Sequence, residues 1–303
     1  QWRRGRNNAM TPLNLMVYRH SAFYSPILAG IGAGFFGREG FAPTYTVMPA
    51  GRDVGAMIAS GEIHVSQASV STSWGILEKG GVPAFTIFAN LNRRDGFLIA
   101  ARNPDPGFRW DKLLTGRFMY AHGGQPQAML AYAMHKMGVN LDKVEGLDRG
   151  DPDKAMAAFA AGEGNYFHEQ APYPQQLEAQ GKAHILASVG EVIGPVAFSS
   201  LAASPAWLAR PEAKRFLRAY RQARRWANSA PPEEVAAAVQ SFFPAIRRDA
   251  LVRSIARYQQ LGCWSGELEI PRDEYETILD VFQHSKLITR RHPYEQVISP
   301  LPI

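Results

Sequence analysis

The run Ser21-Ala-Phe-Tyr-Ser-Pro-Ile-Leu-Ala-Gly-Ile-Gly-Ala-Gly-Phe-Phe-Gly-Arg-Glu-Gly-Phe41 decides the architecture of this chain, because of what stands on either side of it. A short apolar stretch, residues 13–18, precedes it, and Thr44-Tyr-Thr-Val47 follows closely. Strand, helix and strand with short links make a βαβ opening, which calls for an α/β sheet, mostly parallel. Pro26 falls in the first turn of the helix, where a missing N–H costs no intrahelical bond.

Working outward, residues 53–60 read as a helix closed by Gly61, and 63–66 as a buried strand. A helix over 73–79 is closed by Gly80-Gly81, and strands at 85–88 and 96–101 continue the sheet. A second series follows: strand 117–120, a Gly-Gly turn, helix 125–137, strand 143–147, helix 151–161 and strand 165–168. Val196-Ala-Phe-Ser-Ser-Leu-Ala-Ala-Ser-Pro205 repeats the pattern of Gly96-Phe-Leu-Ile-Ala-Ala-Arg-Asn-Pro104, an apolar run ending at a polar-Pro corner. Two such strands let a chain leave one lobe, build another and return. The spacing predicts lobe one over residues 11–100 plus 197–303, and lobe two over 101–196. Beyond residue 206 the pattern is helical, at 211–228, 232–242, 249–261 and 273–284.

The chain has 303 residues, 46% of them hydrophobic, enough for a sizeable core. No apolar run approaches the roughly 20 residues of a membrane span, so a soluble protein is expected. Cys263 is the lone cysteine, which excludes an internal disulfide framework and any cysteine-cluster metal site. The net charge of +6 raises the question of nucleic acid. The densest basic run, Lys214, Arg215, Arg218, Arg221, Arg224 and Arg225 among Phe216, Leu217, Tyr220 and Trp226, reads instead as the solvated face of an amphipathic helix. Zinc-finger spacing and an RNP-like aromatic motif are both missing, so no nucleic-acid partner is expected. The first ten residues are basic and polar without an apolar stretch. They read as a mature tail or an expression remnant rather than a signal peptide.

Gly32-Ala-Gly34-Phe-Phe-Gly37 spells a dinucleotide fingerprint in the wrong context, since it ends a helix instead of opening one. No cofactor is implied. Polar groups just past the C-terminal end of a strand are better candidates, because ligands of open α/β sheets bind there. Gln67, Ser69 and Ser71 qualify, with N-capping as the alternative for the serines. In the second series, His122, Gly123, Gly124 and Gln125 form a turn whose free N–H groups and helix dipole suit negative or electronegative ligand atoms; a plain βα turn is the alternative. His168 and Glu169 adjoin a strand end, and without a third ligand at metal spacing no metal site is expected. Ser200 lies on the return strand, at the hinge side.

Gly34, Phe35, Phe36, Glu39, Gly40 and Phe41 match a motif that loosely reads Gly-Phe-Phe-x-x-Glu-Gly-Phe/Leu. In this the chain resembles the NMT1/THI5-like class of solute-binding proteins, relatives of the binding components for thiamine-precursor pyrimidines, taurine, alkanesulfonates and nitrate. The resemblance runs in order from about Leu13 to Ile298. It implies a type II periplasmic-binding-protein (Venus flytrap) fold, with two α/β lobes joined by a hinge. It further implies an extracytoplasmic monomer, periplasmic or membrane-tethered, that delivers a small organic ligand to an ABC permease without catalysis. His20, Phe23 and Tyr24 correspond to a ligand-contacting segment in that class, where aromatic rings could stack on a flat heterocycle or simply pack in the core. Glu169 corresponds to its second-lobe carboxylate loop, which together with Phe23 and Tyr24 favours a pyrimidine-like or other nitrogenous heterocycle. His122 and the Gly123-Gly124 turn favour a sulfonate or carboxylate. The rival is an enzyme on the same fold. Cys263 cannot supply the cysteine-rich motif of the pyrimidine synthases, which leaves a decarboxylase using His20, His168 or Glu169 as acid or base, or a sensing module.

Overall fold

The computed structural model describes residues 9–303, so the first eight residues of the basic N-terminal run lie outside the described residues. Strands β1 (Thr11–Val17) and β2 (Phe41–Val47) pair in parallel, Thr11 opposite Phe41 and Val17 opposite Val47. Between them the quoted run forms the helices Ser25–Gly32 and Phe35–Arg38. A Cβ on Gly32 would lie 1.9 Å from the Ala238 carbonyl oxygen of the helix Pro232–Val239. That glycine therefore serves close helix packing rather than a phosphate loop.

β3 (Val65–Ala68), β4 (Thr86–Asn92) and β10 (Ser199–Ala203) complete a five-stranded sheet in the order β2-β1-β3-β10-β4. The second sheet holds β5 (Phe97–Ala101), β6 (Arg117–Met119), β7 (Glu145–Leu147), β8 (Tyr166–Gln170) and β9 (His184–Ser188), in the order β7-β6-β8-β5-β9. β10 runs antiparallel to β3 and β4, and β5 antiparallel to β8 and β9. The other pairings are parallel. In each sheet, then, the antiparallel strand is the one that has just arrived from the other sheet.

One strand differs from the sequence reading. Phe97–Ala101, expected to end the first lobe, pairs with β8 and β9 of the second sheet, so the chain crosses within residues 93–96 rather than near Ala100. A fully apolar strand carries no mark of which sheet will bury it. The corner does: an Asp95 carboxylate oxygen accepts from the Phe97 N–H at 2.6 Å and turns the chain immediately before the strand. β9 carries no clear strand signal in the sequence, since His184-Ile-Leu-Ala-Ser188 offers little alternation.

The main core runs through Leu13, Phe36, Phe88, Tyr220 and Trp264 and continues onto the second sheet through Phe97, Phe118 and Met129. The outer face of the second sheet has its own cluster, Phe159, Phe167 and Leu177. The basic helix Pro211–Ser229 buries Phe216, Leu217 and Tyr220. Arg224 departs from the solvated-face reading. It is 2% exposed, and its guanidinium donates to the carbonyls of Leu91, Ser265 and Gly266 at 2.8–3.3 Å. No helix among the described residues is long and apolar enough to cross a membrane.

Candidate functional site

The C-terminal ends of the parallel strands in the two sheets face one another, and the polar residues just beyond them meet along a seam. Arg19 follows β1, and Glu169 is the next-to-last residue of β8. Arg19 Nη1 donates to both Glu169 oxygens, at 2.6 and 2.8 Å, joining the two sheets by an ion pair. The Glu169 side chain is 3% exposed and that of Arg19 is 20% exposed. Burial pushes the Glu169 carboxyl up, opposed by Arg19 and by the Gln170 N–H that donates to Oε1 at 2.9 Å. Burial also works against the Arg19 charge, but the Glu169 carboxylate outweighs it and the guanidinium titrates above its ordinary value.

The hydrogen-bonding groups next to this pair are neutral, while the Asp153 carboxylate lies near enough to push Glu169 further up. Gln67 Oε1 accepts from the Tyr18 N–H at 2.9 Å, and its Nε2 donates to Ser199 Oγ at 3.4 Å. Tyr24 is buried beside Arg19, whose charge opposes the upward push of burial on the Tyr24 hydroxyl. Ser69 and Ser71 hydroxyls lie 2.6 Å apart. Ser71 donates on to Gln125 Oε1 at 3.1 Å, while Gln125 Nε2 donates to the Phe198 carbonyl at 2.8 Å. His168 stacks on Phe97 with centroids 4.4 Å apart, and burial, helped by Arg19, pushes its pKa down to about 3. Both His168 ring nitrogens and Gln170 Oε1 have no hydrogen-bond partner, a concentration of unpaired polar atoms unusual for a buried strand end.

The structure thus gathers Tyr24, Gln67, Ser69, Ser71, Gln125, His168 and Glu169 along the seam, and separates the other sequence candidates from it. The carbonyl of His20 accepts from the second-lobe Tyr173 hydroxyl at 3.1 Å, but its ring is engaged within the first lobe. Its Nε2 donates to the Phe242 carbonyl at 2.7 Å, Nδ1 lies 2.7 Å from the Tyr45 hydroxyl, and its ring stacks on Phe243. Phe23 is fully buried against Phe198 and Tyr258. His122 is exposed, its ring against Tyr120 and its N–H on Asp148. Gly123 and Gly124 line a surface groove of about 760 Å³ with His135, His284 and Lys286, away from the ion pair. Ser200 is buried within the first sheet opposite Asn90, its hydroxyl unpaired.

Arg19 is not among the sequence candidates, yet it meets the same criterion as Gln67: it stands two residues past the end of β1. Cys263 is fully buried and its thiol is pushed far up by burial, so it offers no thiolate. Among the described residues no three His, Cys, Asp or Glu side chains converge as a metal site. The seam offers the Arg19 guanidinium, the Glu169 carboxylate and several neutral donors and acceptors, with Asp153 nearby, a set suited to holding a small polar molecule.

No family profile matches the chain. It is 25% identical over 297 residues to YtlA of Bacillus subtilis (strain 168), to which a binding role is provisionally ascribed, covering 96% of this chain and 88% of that one. The alkanesulfonate-binding protein SsuA of Xanthomonas axonopodis pv. citri, bound to MOPS, superposes with a TM-score of 0.72 at 16% identity over 96% of this chain and 98% of its own. A ligand-binding component of an ABC-type import system from Staphylococcus aureus, with zinc bound, gives a TM-score of 0.75 at 13% identity over 97% and 98%. The chain therefore has the two-sheet fold of periplasmic binding proteins.

Proposed function

We propose that this protein is the solute-binding component of an ABC importer and captures a small organic ligand between its two lobes. The observation that carries the reading is the Arg19–Glu169 pair: charged groups from both sheets meet, nearly dry, where the parallel strands of both sheets end. The lobes we assign are the units built on the two sheets, with their boundaries at residues 93–96 and 189–198. The ligand class we favour is a nitrogenous heterocycle, whose amino or ring N–H groups would donate to Glu169. The guanidinium of Arg19 favours a second class, a sulfonate or an aromatic carboxylate, and the likeness to a protein described as alkanesulfonate-binding supports it. The binding role of the similar proteins supports transport over catalysis, a membrane permease as partner and an extracytoplasmic location. We expect a monomer.

A thermal-shift screen over both ligand classes, with mass spectrometry of any co-purified molecule, tests this reading. A ligand recovered unchanged after incubation agrees with it. Conversion that Glu169→Gln or His168→Ala abolishes would make the protein an enzyme instead. With the ligand in hand, calorimetry on Glu169→Ala reads its class. Loss of a charged partner in a closed cleft costs on the order of 2–5 kcal/mol, so an N–H donor should bind at least about thirtyfold more weakly. An anion should bind more tightly, because the carboxylate that competes for Arg19 is gone.

A further inference from the structure

Arg19 and Glu169 come from different sheets, and Arg19 reaches both carboxylate oxygens with a single nitrogen, leaving its other donors unused on Glu169. Their exposures differ: the Glu169 side chain is 3% accessible, whereas Arg19 keeps 20%. A molecule entering between them must replace the contact for each charge, and the two replacements are unequal. A ligand offering N–H groups alone takes over Glu169 and displaces the guanidinium, which has a route to water. A ligand offering an acidic group alone takes over Arg19 and strands a buried carboxylate without a countercharge, a strongly unfavourable outcome. A ligand carrying both leaves neither charge unpaired.

We infer that Arg19 and Glu169 together select for small molecules bearing both an N–H donor and an acidic group, Glu169 taking the donor and Arg19 the acid. This deepens the solute-binding reading and rests on it. Arg19 is the specificity-determining residue: it turns a site for N–H donors into one for doubly functional ligands, with simple anions last in the order.

Isothermal calorimetry on the wild type, Arg19→Gln and Glu169→Gln tests this with four probes on one ring: 2-aminopyridine, nicotinate, 2-aminonicotinate and 6-aminonicotinate. One of the two aminonicotinates should bind the wild type at least about tenfold more tightly than 2-aminopyridine, which in turn should bind more tightly than nicotinate. Arg19→Gln should remove the aminonicotinate advantage and keep 2-aminopyridine binding. Glu169→Gln should invert the simple pair, nicotinate overtaking 2-aminopyridine, a change of sign that general loss of structure cannot produce. Equal weakening of all four probes by both variants overturns the inference, as do aminonicotinates that bind no better than 2-aminopyridine. Absence of binding by all four at millimolar concentration overturns it too. Native mass spectrometry then separates the two failures: a co-purified small molecule leaves the solute-binding reading standing, and its absence removes both.

Discussion

The two lobes meet in two ways, and the contrast is chemical. At the crossover the contacts are made to backbone carbonyls. Val196 N–H donates to the Arg93 carbonyl at 2.9 Å, and the Tyr258 hydroxyl donates to the Gly96 carbonyl at 2.9 Å. Gly190 packs so closely that a Cβ there would lie 2.3 Å from the Asp95 carbonyl oxygen. Along the seam, side-chain contacts that a ligand could replace join the lobes, Arg19 with Glu169 and Ser71 with Gln125, beside one backbone bond in which the Ala22 N–H donates to the Ala171 carbonyl at 3.0 Å. A backbone approach with no room for a methyl group has nothing to exchange with a ligand, whereas side-chain hydrogen bonds can be replaced by those of a ligand. A protein that opens and closes needs the first kind where its chain crosses and the second kind where its cargo sits.

The largest expected effect breaks the seam. Arg19→Met should lower stability by about 2–4 kcal/mol in urea denaturation, because it leaves Glu169 buried without its countercharge; the partial exposure of Arg19 keeps the figure below that of a fully buried pair. Arg19→Met/Glu169→Leu should recover most of the loss. If the double variant is as weak as the sum of the singles, the pair is not a coupled contact. Gly190→Ala tests the crossover, where the added methyl must displace backbone. A loss of about 1–3 kcal/mol is expected, and an unchanged midpoint would show that the crossing has slack.

The third test concerns Asp95, a buried crossover carboxyl that burial pushes up to about 8 and whose Oδ2 has no partner. Its folded pKa lies above its unfolded value, so the native state holds an extra proton between about pH 4 and 8, and stability falls as pH rises through that window. Asp95→Asn removes this dependence. Its unfolding free energy relative to wild type, read by urea denaturation, should rise steadily from pH 5 to pH 8, with a gain of at least about 1 kcal/mol at the upper end; a constant offset would mean that Asp95 does not titrate there. The smallest effect belongs to Ser71→Ala, which deletes one exchangeable seam bond for about 0.5–1.5 kcal/mol with the crossover contacts unchanged.

The alternation of strand and helix, the helical C-terminal region and the places to look for a site were legible in the sequence, because each depends on local periodicity and on turn residues. The helix expected over 53–60 forms over Val54–Ala59, with Asp53 capping it by accepting from the Ala56 N–H at 2.8 Å, and Gln67 and Glu169 stand where their strands end. Pairing across distance was not legible. Phe97–Ala101 is apolar throughout, so either sheet could have buried it, and only the assembled fold sent it to β8 and β9. Glu169 reads as an acceptor waiting for a donor, and only the tertiary structure supplied Arg19, 150 positions away. His20 and Phe23 were placed near the site by their position after β1. Packing against Phe243, Phe198 and Tyr258 then claimed their rings. The physical reason is common to all of these: periodicity reports which groups need burial or a partner, whereas the identity of the partner depends on which segments folding brings within a few ångströms.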